Sequence, residues 1–328
     1  MSKRVLVAGG AGFIGTHLTK RLLQEGHVVA VVDNLQTGRS SNIERLGKSM
    51  RLHFVQADIS SGLPYLGEFD EIYNLACAAS PIRYQADPVH TLMTSIRGTE
   101  ALLELAERSR ARFVMASTSE VYGDPEQHPQ KEEYWGNVNP NGPRACYDEG
   151  KRAAETLCGA FLARGVDVRI ARIFNTYGPL MRPDDGRVVS NVICQALAGS
   201  EVTVYGNGEQ TRSFCFVEDL VDGLMRLMEV GGPVRAPVNL GNPEEYSINE
   251  MVQVVLRATG ARSRLVHKPL PQDDPRRRCP DISRANALLH WSPRIPFAEG
   301  LERTIDWFRS TQQPAAGHRA EDRATVVA

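Results

Sequence analysis

The sequence predicts an α/β fold: a doubly wound parallel sheet followed by a smaller C-terminal α+β unit. Three observations predict it. Short apolar runs alternate with amphipathic stretches through the first half, the pattern of strands buried on both faces and joined by helices. A glycine turn, Gly9-Gly10-Ala11-Gly12-Phe13-Ile14-Gly15, follows the first of those runs and opens a helical stretch. After Tyr177-Gly178-Pro179 the loops lengthen and Pro and Gly become frequent, which marks a change of architecture.

The elements follow in order. Val5-Leu6-Val7-Ala8 reads as a buried strand, and Thr16 to Glu25 has helical periodicity that stops at Gly26. Gly9 permits the tight turn, Gly12 lets backbone N–H groups approach a pyrophosphate at the helix N-terminus, and Gly15 lets helix and strand pack closely. A second strand, Val28 to Val32, ends in Asp33, about twenty residues after the turn, as a dinucleotide fingerprint requires. An acid there accepts from ribose hydroxyls and repels a 2′-phosphate, so NAD is favoured over NADP. This is a Rossmann-type opening.

His53 to Gln56 reads as a third strand, with Asp58 and Ile59 placed to meet the adenine. Glu71 to Ala76 is a fourth, followed by the small residues Cys77, Ala78 and Ala79, which let a cofactor lie against backbone. Thr94 to Arg108 is helical. Phe113 to Ala116 runs as a buried strand into Ser117-Thr118-Ser119-Glu120, a polar mouth at a strand end, where open α/β sheets bind ligands. A helix is expected from near Tyr147 to about Arg164, then a strand at Val168 to Ala171 ending at Asn175-Thr176. Further on come a helix at Val188 to Ala198, strands at Val202 to Tyr205 and Phe214 to Val217, and a helix at Asp219 to Met228. Ser247 opens another helix with a capping box, and the last runs from Phe297 to Arg309. Residues 1–175, with a return at about 212–241, are expected to form the NAD-binding domain, and 176–310 mainly the substrate domain. Residues 311–328, polar and aperiodic, are expected to be a disordered tail.

Composition narrows the function classes. The 328-residue chain is 42% hydrophobic and 23% charged, with a formal net charge of -1, so nothing points to nucleic acid or a membrane surface. Its six cysteines show no CxxC, and no His cluster has metal-ligand spacing, so reduced thiols, a cytoplasmic location and no metal are expected. The strand near the N-terminus leaves no room for a signal peptide, and no apolar run approaches the ~18 residues of a membrane helix.

Tyr147 and Lys151 are four residues apart and share a helix face. An ammonium near a phenol favours the phenolate, and such a Tyr can serve as a general base towards a substrate hydroxyl.

The glycine turn, Asp33, Thr118, Tyr147 and Lys151 together resemble the extended short-chain dehydrogenase/reductases that act on nucleotide sugars. Longer runs are similar to the UDP-glucuronate decarboxylases in particular: Ala116 to Pro125, Tyr134 to Pro140, Cys146 to Lys151, Arg172 to Pro179, Asp184 to Asn191, Val204 to Gly206 and Gln210 to Arg212. The resemblance implies oxidation of a sugar C4 hydroxyl with NAD, loss of carbon dioxide from the resulting 4-ketone, and re-reduction. It implies that Tyr147 takes the proton, Thr118 bonds the hydroxyl, and Lys151 holds the nicotinamide ribose. Dehydratases of this kind carry an Asp-Glu pair where this chain has Ser119-Glu120, which argues against dehydration. Glu120 and Arg278 are implied at the carboxyl end of the sugar; a strand-end carboxylate paired with a nearby cation is the alternative for Glu120.

Cofactor contacts are expected from Gly9, Gly12, Phe13, Ile14, Asp33, Asn34, Asp58, Ile59, Leu75, Cys77, Thr94, Tyr147, Lys151 and Thr176. UDP contacts are implied for Asn175, Arg187, Val188, Tyr205, Arg212 and Arg278; for Tyr205, core packing and base contact both stay open. The resemblance also implies a homodimer through helices near Thr94–Arg108 and Tyr147–Arg164. Met93 and Leu180 depart from the Lys and Arg usual in similar sequences, and Arg97 stands where an aliphatic residue is usual. A UDP-glucuronate 4-epimerase is the rival enzyme, and a silent NAD-binding scaffold the rival non-enzyme.

Overall fold

Strict alternation within the first strands dictates a sheet covered on both sides. In β1 (Arg4–Ala8), Val5 and Val7 pack into one apolar cluster while Leu6 and Ala8 pack into another. The next strand, β2 (Val28–Asp33), divides in the same way: Val29 and Val31 face one side, Ala30 and Val32 the other. The computed structural model describes residues 1–312. With β3 (Leu52–Gln56), β4 (Glu71–Asn74), β5 (Arg112–Thr118) and β6 (Val168–Ile173), these strands form a seven-stranded parallel sheet in the order β3-β2-β1-β4-β5-β6, closed beyond β6 by Val238–Leu240. The order reverses between β1 and β4, so the crevice for a ligand opens at their carboxyl ends.

The C-terminal elements share the core of one sheet face. Residues of Val217–Glu229, Ile248–Thr259 and Phe297–Gln312 belong to the same apolar cluster as Val5 and Val7. Small sheets complete this part. Thr211–Ser213 lies between Glu245–Ser247 and Arg277–Arg278, Leu265–Lys268 pairs with Val202–Tyr205, and Cys215–Phe216 pairs with Thr176–Tyr177.

Several elements differ from the sequence expectation, for local reasons. The helix expected at Thr94–Arg108 is a π-helical turn, Thr94–Gly98, running into an α-helix, Thr99–Ser109, and it continues a short helix Pro88–Met93. A Cβ on Gly98 would lie 2.5 Å from Ile59, so the wide turn packs its backbone against that side chain. The fourth strand stops at Asn74 rather than Ala76. There the Asn74 side chain takes over, accepting from Ala76 N at 3.2 Å and donating to Thr99 Oγ1 at 3.0 Å. The strand expected at Phe214–Val217 shrinks to Cys215–Phe216 because the next helix already starts at Val217. The helices Ser40–Arg45, Pro81–Tyr84 and Ser283–Leu289 are too short to show a periodicity. The last helix reaches Gln312, two residues into the expected tail; the rest of that tail lies outside the described residues.

Candidate active site

One cleft runs along the carboxyl ends of the strands. At its first end the glycine turn has three roles. Gly9 has φ +79°, and a Cβ there would lie 2.7 Å from the Leu75 backbone. A Cβ on Gly15 would lie 2.2 Å from Gly9 O, so Gly15 packs against the turn itself rather than against a strand. At Gly12 a Cβ would meet only Gly9 O, at 3.2 Å. Gly12 caps the helix Phe13–Gln24 without any side-chain cap, so first-turn N–H groups stay available at the cleft wall.

Asp33 ends β2 and is buried. Its carboxylate accepts from Ala11 N at 3.0 Å and from Leu35 N at 2.8 Å, so it also holds the turn closed. Burial raises its pKa, and those two amides oppose the rise. Asn34 donates to Asp58 at 3.0 Å, and His90 Nε2 lies 2.6 Å from the same carboxylate. Burial works against the Asp58 charge, but hydrogen bonds from Ser60, His90 and Asn34 win and hold it well below the usual carboxylate range.

At the far end, β5 delivers Thr118, whose Oγ1 accepts from Glu120 N at 3.2 Å and caps the turn Ser119–Tyr122. Tyr147 and Lys151 come from the first two turns of the helix Ala145–Ala163, and both are buried. Tyr147 stacks flat on Tyr84, centroids 5.1 Å apart and planes 3° from parallel. Lys151 Nζ donates to Ala116 O at 2.8 Å and lies 5.9 Å from the Tyr147 ring centroid.

Burial, rather than the Lys151 charge, is the largest influence on the Tyr147 phenol. Burial pushes the phenol well above its ordinary value, with Cys77 and Glu120 adding to it; a hydrogen bond with Thr118 and the charge of Arg187 oppose. Burial likewise lowers the Lys151 ammonium. The low-dielectric site therefore favours the neutral phenol in this state.

Glu120 is the centre of an ion cluster. Arg278 grips it with two bonds, 2.6 and 2.8 Å, and Arg144 Nη2 donates to it at 2.8 Å. Burial favours the neutral acid, but the guanidiniums of Arg278 and Arg144 outweigh it, and the pKa falls to about 2. Asp274 then links Arg144, at 3.1 Å, to Arg212, at 2.8 Å. Asp148, next to Tyr147, is also buried. Desolvation and then the Glu120 charge raise its pKa to about 8, against the pull of Arg144 and Arg278.

All the expected cofactor residues line this cleft, as do Thr118, Ser119, Glu120, Asn175, Arg187 and Arg278. Val188, Tyr205 and Arg212 do not. Arg187 caps the helix Val188–Leu197 and pairs with Asp185 at 3.2 Å, while Val188 opens that helix and packs, partly buried, against the apolar core. Tyr205 is 41% exposed at a strand end, which removes the core-packing alternative. Arg212 is committed to Asp274 and to the carbonyls of Thr211 and Arg276. Of the departures, Leu180 lines the cleft with φ +72°, whereas Met93 and Arg97 do not line it.

Sequence reasoning missed Arg144, Asp274, Asp148 and Tyr84. Arg144 carried a legible signal: it occupies an N-cap, where a cation opposes the helix dipole and calls for an acidic partner. Tyr84 carried none. The cysteine spacing shows no metal cluster, yet the fold brings His128, Glu245 and Cys279 together away from the cleft lining.

The residues fit a dinucleotide. An open glycine cradle stands at an uncapped helix N-terminus, and the Thr94 hydroxyl in the cleft wall is buried with no hydrogen-bond partner. Fold and site together define a dinucleotide-binding α/β protein with Thr118 at a strand end and Tyr147 and Lys151 on the following α-helix. Residues 5–241 match the model of the NAD dependent epimerase/dehydratase family, and the chain belongs to that family. Among similar proteins, UDP-glucuronic acid decarboxylase 1 of Xenopus tropicalis is 52% identical over 97% of this chain and 75% of its own length. UDP-glucuronic acid decarboxylase 1 of Danio rerio is 53% identical over 93% of this chain and 72% of its own. Among solved structures, the UDP-glucose 4-epimerase of Thermotoga maritima with UDP-glucose superposes with a TM-score of 0.85 at 28% identity, covering 94% of this chain and all of that one. The UDP-glucuronic acid 4-epimerase of Bacillus cereus, in complex with UDP-glucuronic acid and NAD, gives 0.83 at 27% identity, over 94% of this chain and 99% of that one. Among the described residues no helix is long and apolar enough to cross a membrane.

Proposed function

We propose that this chain is an NAD-dependent UDP-glucuronate decarboxylase that makes UDP-xylose. The observation that carries the reading is identity above one half, across nearly the whole chain, to relatives named for that activity, against 27–28% for the epimerase structures. The glycine turn, Asp33, Asp58 and Lys151 would hold NAD, which when bound would supply a hydride acceptor, and later donor, for sugar C4. Thr118 Oγ1 holds the C4 hydroxyl, and Tyr147 Oη exchanges its proton. A C4 ketone is β to the carboxylate on C5. The C5–C6 bond electrons can delocalise into that ketone as carbon dioxide leaves, and C5 is then protonated. Glu120 and Arg278 face this end of the sugar. Their cluster keeps Glu120 anionic and holds Arg278 in one orientation, which supports the reading.

On this reading residues 1–175 with about 212–241 hold the cofactor and 176–310 mainly the UDP-sugar. Asn175 and Arg187 are proposed to meet the diphosphate from the cleft wall, and Val188, Tyr205 and Arg212, outside that lining, to meet the rest of UDP. A homodimer through the helices Thr99–Ser109 and Ala145–Ala163 and a cytoplasmic location complete the proposal; light scattering at the monomer mass would refute the dimer. The decisive experiment incubates purified protein with UDP-glucuronate and NAD, following carbon dioxide and product mass. Release of one equivalent with a 44-dalton loss, the mass of carbon dioxide (~44), is expected. A product isobaric with substrate makes the chain an epimerase instead.

A further inference from the structure

Outside the cleft, the imidazole of His128, the carboxylate of Glu245 and the thiol of Cys279 converge, one donor atom from each lying within 4.8 Å of the others. His128 Nε2 and Glu245 Oε2 are 2.8 Å apart. The three come from distant segments that the backbone holds in place. Glu245 opens Glu245–Ser247, which pairs with Thr211–Ser213, which in turn pairs with Arg277–Arg278. Cys279 follows directly. Gln130, two residues after His128, donates its N–H to Cys279 O and accepts from Cys279 N through its side chain, both at 2.8 Å. Thr211 Oγ1 donates to Glu245 Oε1 at 2.7 Å, which leaves Oε2 turned to His128. Cys279 is buried, while the side chains of His128 and Glu245 are 30% and 27% exposed, so the site has a shielded sulfur and an open approach.

We propose that His128, Glu245 and Cys279 form a binding site for a thiophilic divalent cation of the zinc type. One imidazole nitrogen, one carboxylate oxygen and one thiolate sulfur suit zinc, with water in the fourth tetrahedral position. Magnesium and calcium prefer oxygen alone. On binding, a metal–sulfur bond forms, the Cys279 thiol proton passes to solvent, and the hydrogen bond from Sγ to Pro243 O, 3.3 Å, is given up. Thiolate and carboxylate balance the two charges of the cation, and no electron is transferred. The Thr211 hydroxyl is the outer contact that fixes the carboxylate. Because Cys279 is covalently next to Arg278, the cation braces the strand whose guanidinium grips Glu120. This inference stands apart from the decarboxylase reading.

Cobalt(II) added to the reduced, chelator-treated full chain is the test. One equivalent is expected to produce a thiolate-to-cobalt charge-transfer band with tetrahedral visible bands, and zinc should displace it. Cys279→Ser should abolish the charge-transfer band. His128→Gln should weaken cobalt binding by more than about tenfold, and Thr211→Val by about tenfold. Circular dichroism reports whether each variant folds. Should Cys279→Ser not fold, the exposed His128 decides. No band in the folded wild-type protein, undiminished charge transfer in folded Cys279→Ser, or unchanged affinity in folded His128→Gln overturns the proposal.

Discussion

The two ends of the cleft are built differently. At the cofactor end, Asp33 holds Ala11 and Leu35, partners 22 and 2 residues away, and the glycine turn packs on itself. At the carboxylate end, Glu120 is gripped by Arg144 from 24 residues away and by Arg278 from 158. The first end is built on backbone: the Asp33 carboxylate accepts from two main-chain amides, and the glycine turn closes on its own carbonyl. The second is an ion cluster assembled from separate parts of the chain, and each member is tolerable only because the others are present. Both ends couple stability to function, the turn through backbone sterics and the cluster through charge.

Variants can sharpen or break that contrast. Tyr147→Phe should lower carbon dioxide release about a thousandfold, because proton transfer at C4 is lost, while NAD content stays at the wild-type level. A normal rate would remove Tyr147 from the chemistry. Glu120→Ala leaves two guanidiniums, with side chains only 8% and 6% exposed, facing each other without their shared anion. It should cost about 3 kcal/mol in denaturant unfolding and slow the steps after C4 oxidation more than NAD binding. Wild-type stability would mean that the cluster does not behave as one unit. Gly15→Ala forces a Cβ to within 2.2 Å of Gly9 O. A loss of about 2 kcal/mol is expected, together with weaker NAD retention, since the turn must shift.

Asp148→Asn probes the pH dependence of the cluster. In the folded chain Asp148 keeps its proton up to about 8, whereas the unfolded chain releases it near the ordinary Asp value of ~3.9. Between those values the folded state binds more protons, so this group's contribution to stability is lost as pH rises through about 8. Asn removes that slope. Relative to wild type, the variant should gain on the order of 2 kcal/mol between pH 5 and pH 8, less than full linkage because charging is shared with Glu120. A melting-temperature difference that does not change with pH would contradict it. The smallest effect is expected far from either end. Ser247→Ala breaks a complete capping box and should cost about 1 kcal/mol without altering turnover.

Most of the strand-and-helix succession was legible because its signals are short-ranged. The 3.6-residue and two-residue periods, the glycine spacing, Asp33 at a strand end and the Ser247 to Glu250 box each sit within one element or one turn. The π-helical turn at Thr94–Gly98 was not legible, since it is set by the approach of Ile59 from another element. The helix-face pairing of Tyr147 with Lys151 was legible but the phenol's surroundings were not, because that spacing says nothing of the burial that dominates.

By itself, the sequence determined the doubly wound sheet and the dinucleotide turn, because hydrophobic period and steric demand act over a few residues, and it put Tyr147 and Lys151 at one-turn spacing on a helix. Only the tertiary structure decided which charges meet. Arg144, Asp274 and Arg278 around Glu120, and His128 with Glu245 and Cys279, are chosen by chain crossings that no local pattern records. The physical reason is that Coulomb energy and desolvation depend on distance in space, which packing sets after the elements have formed.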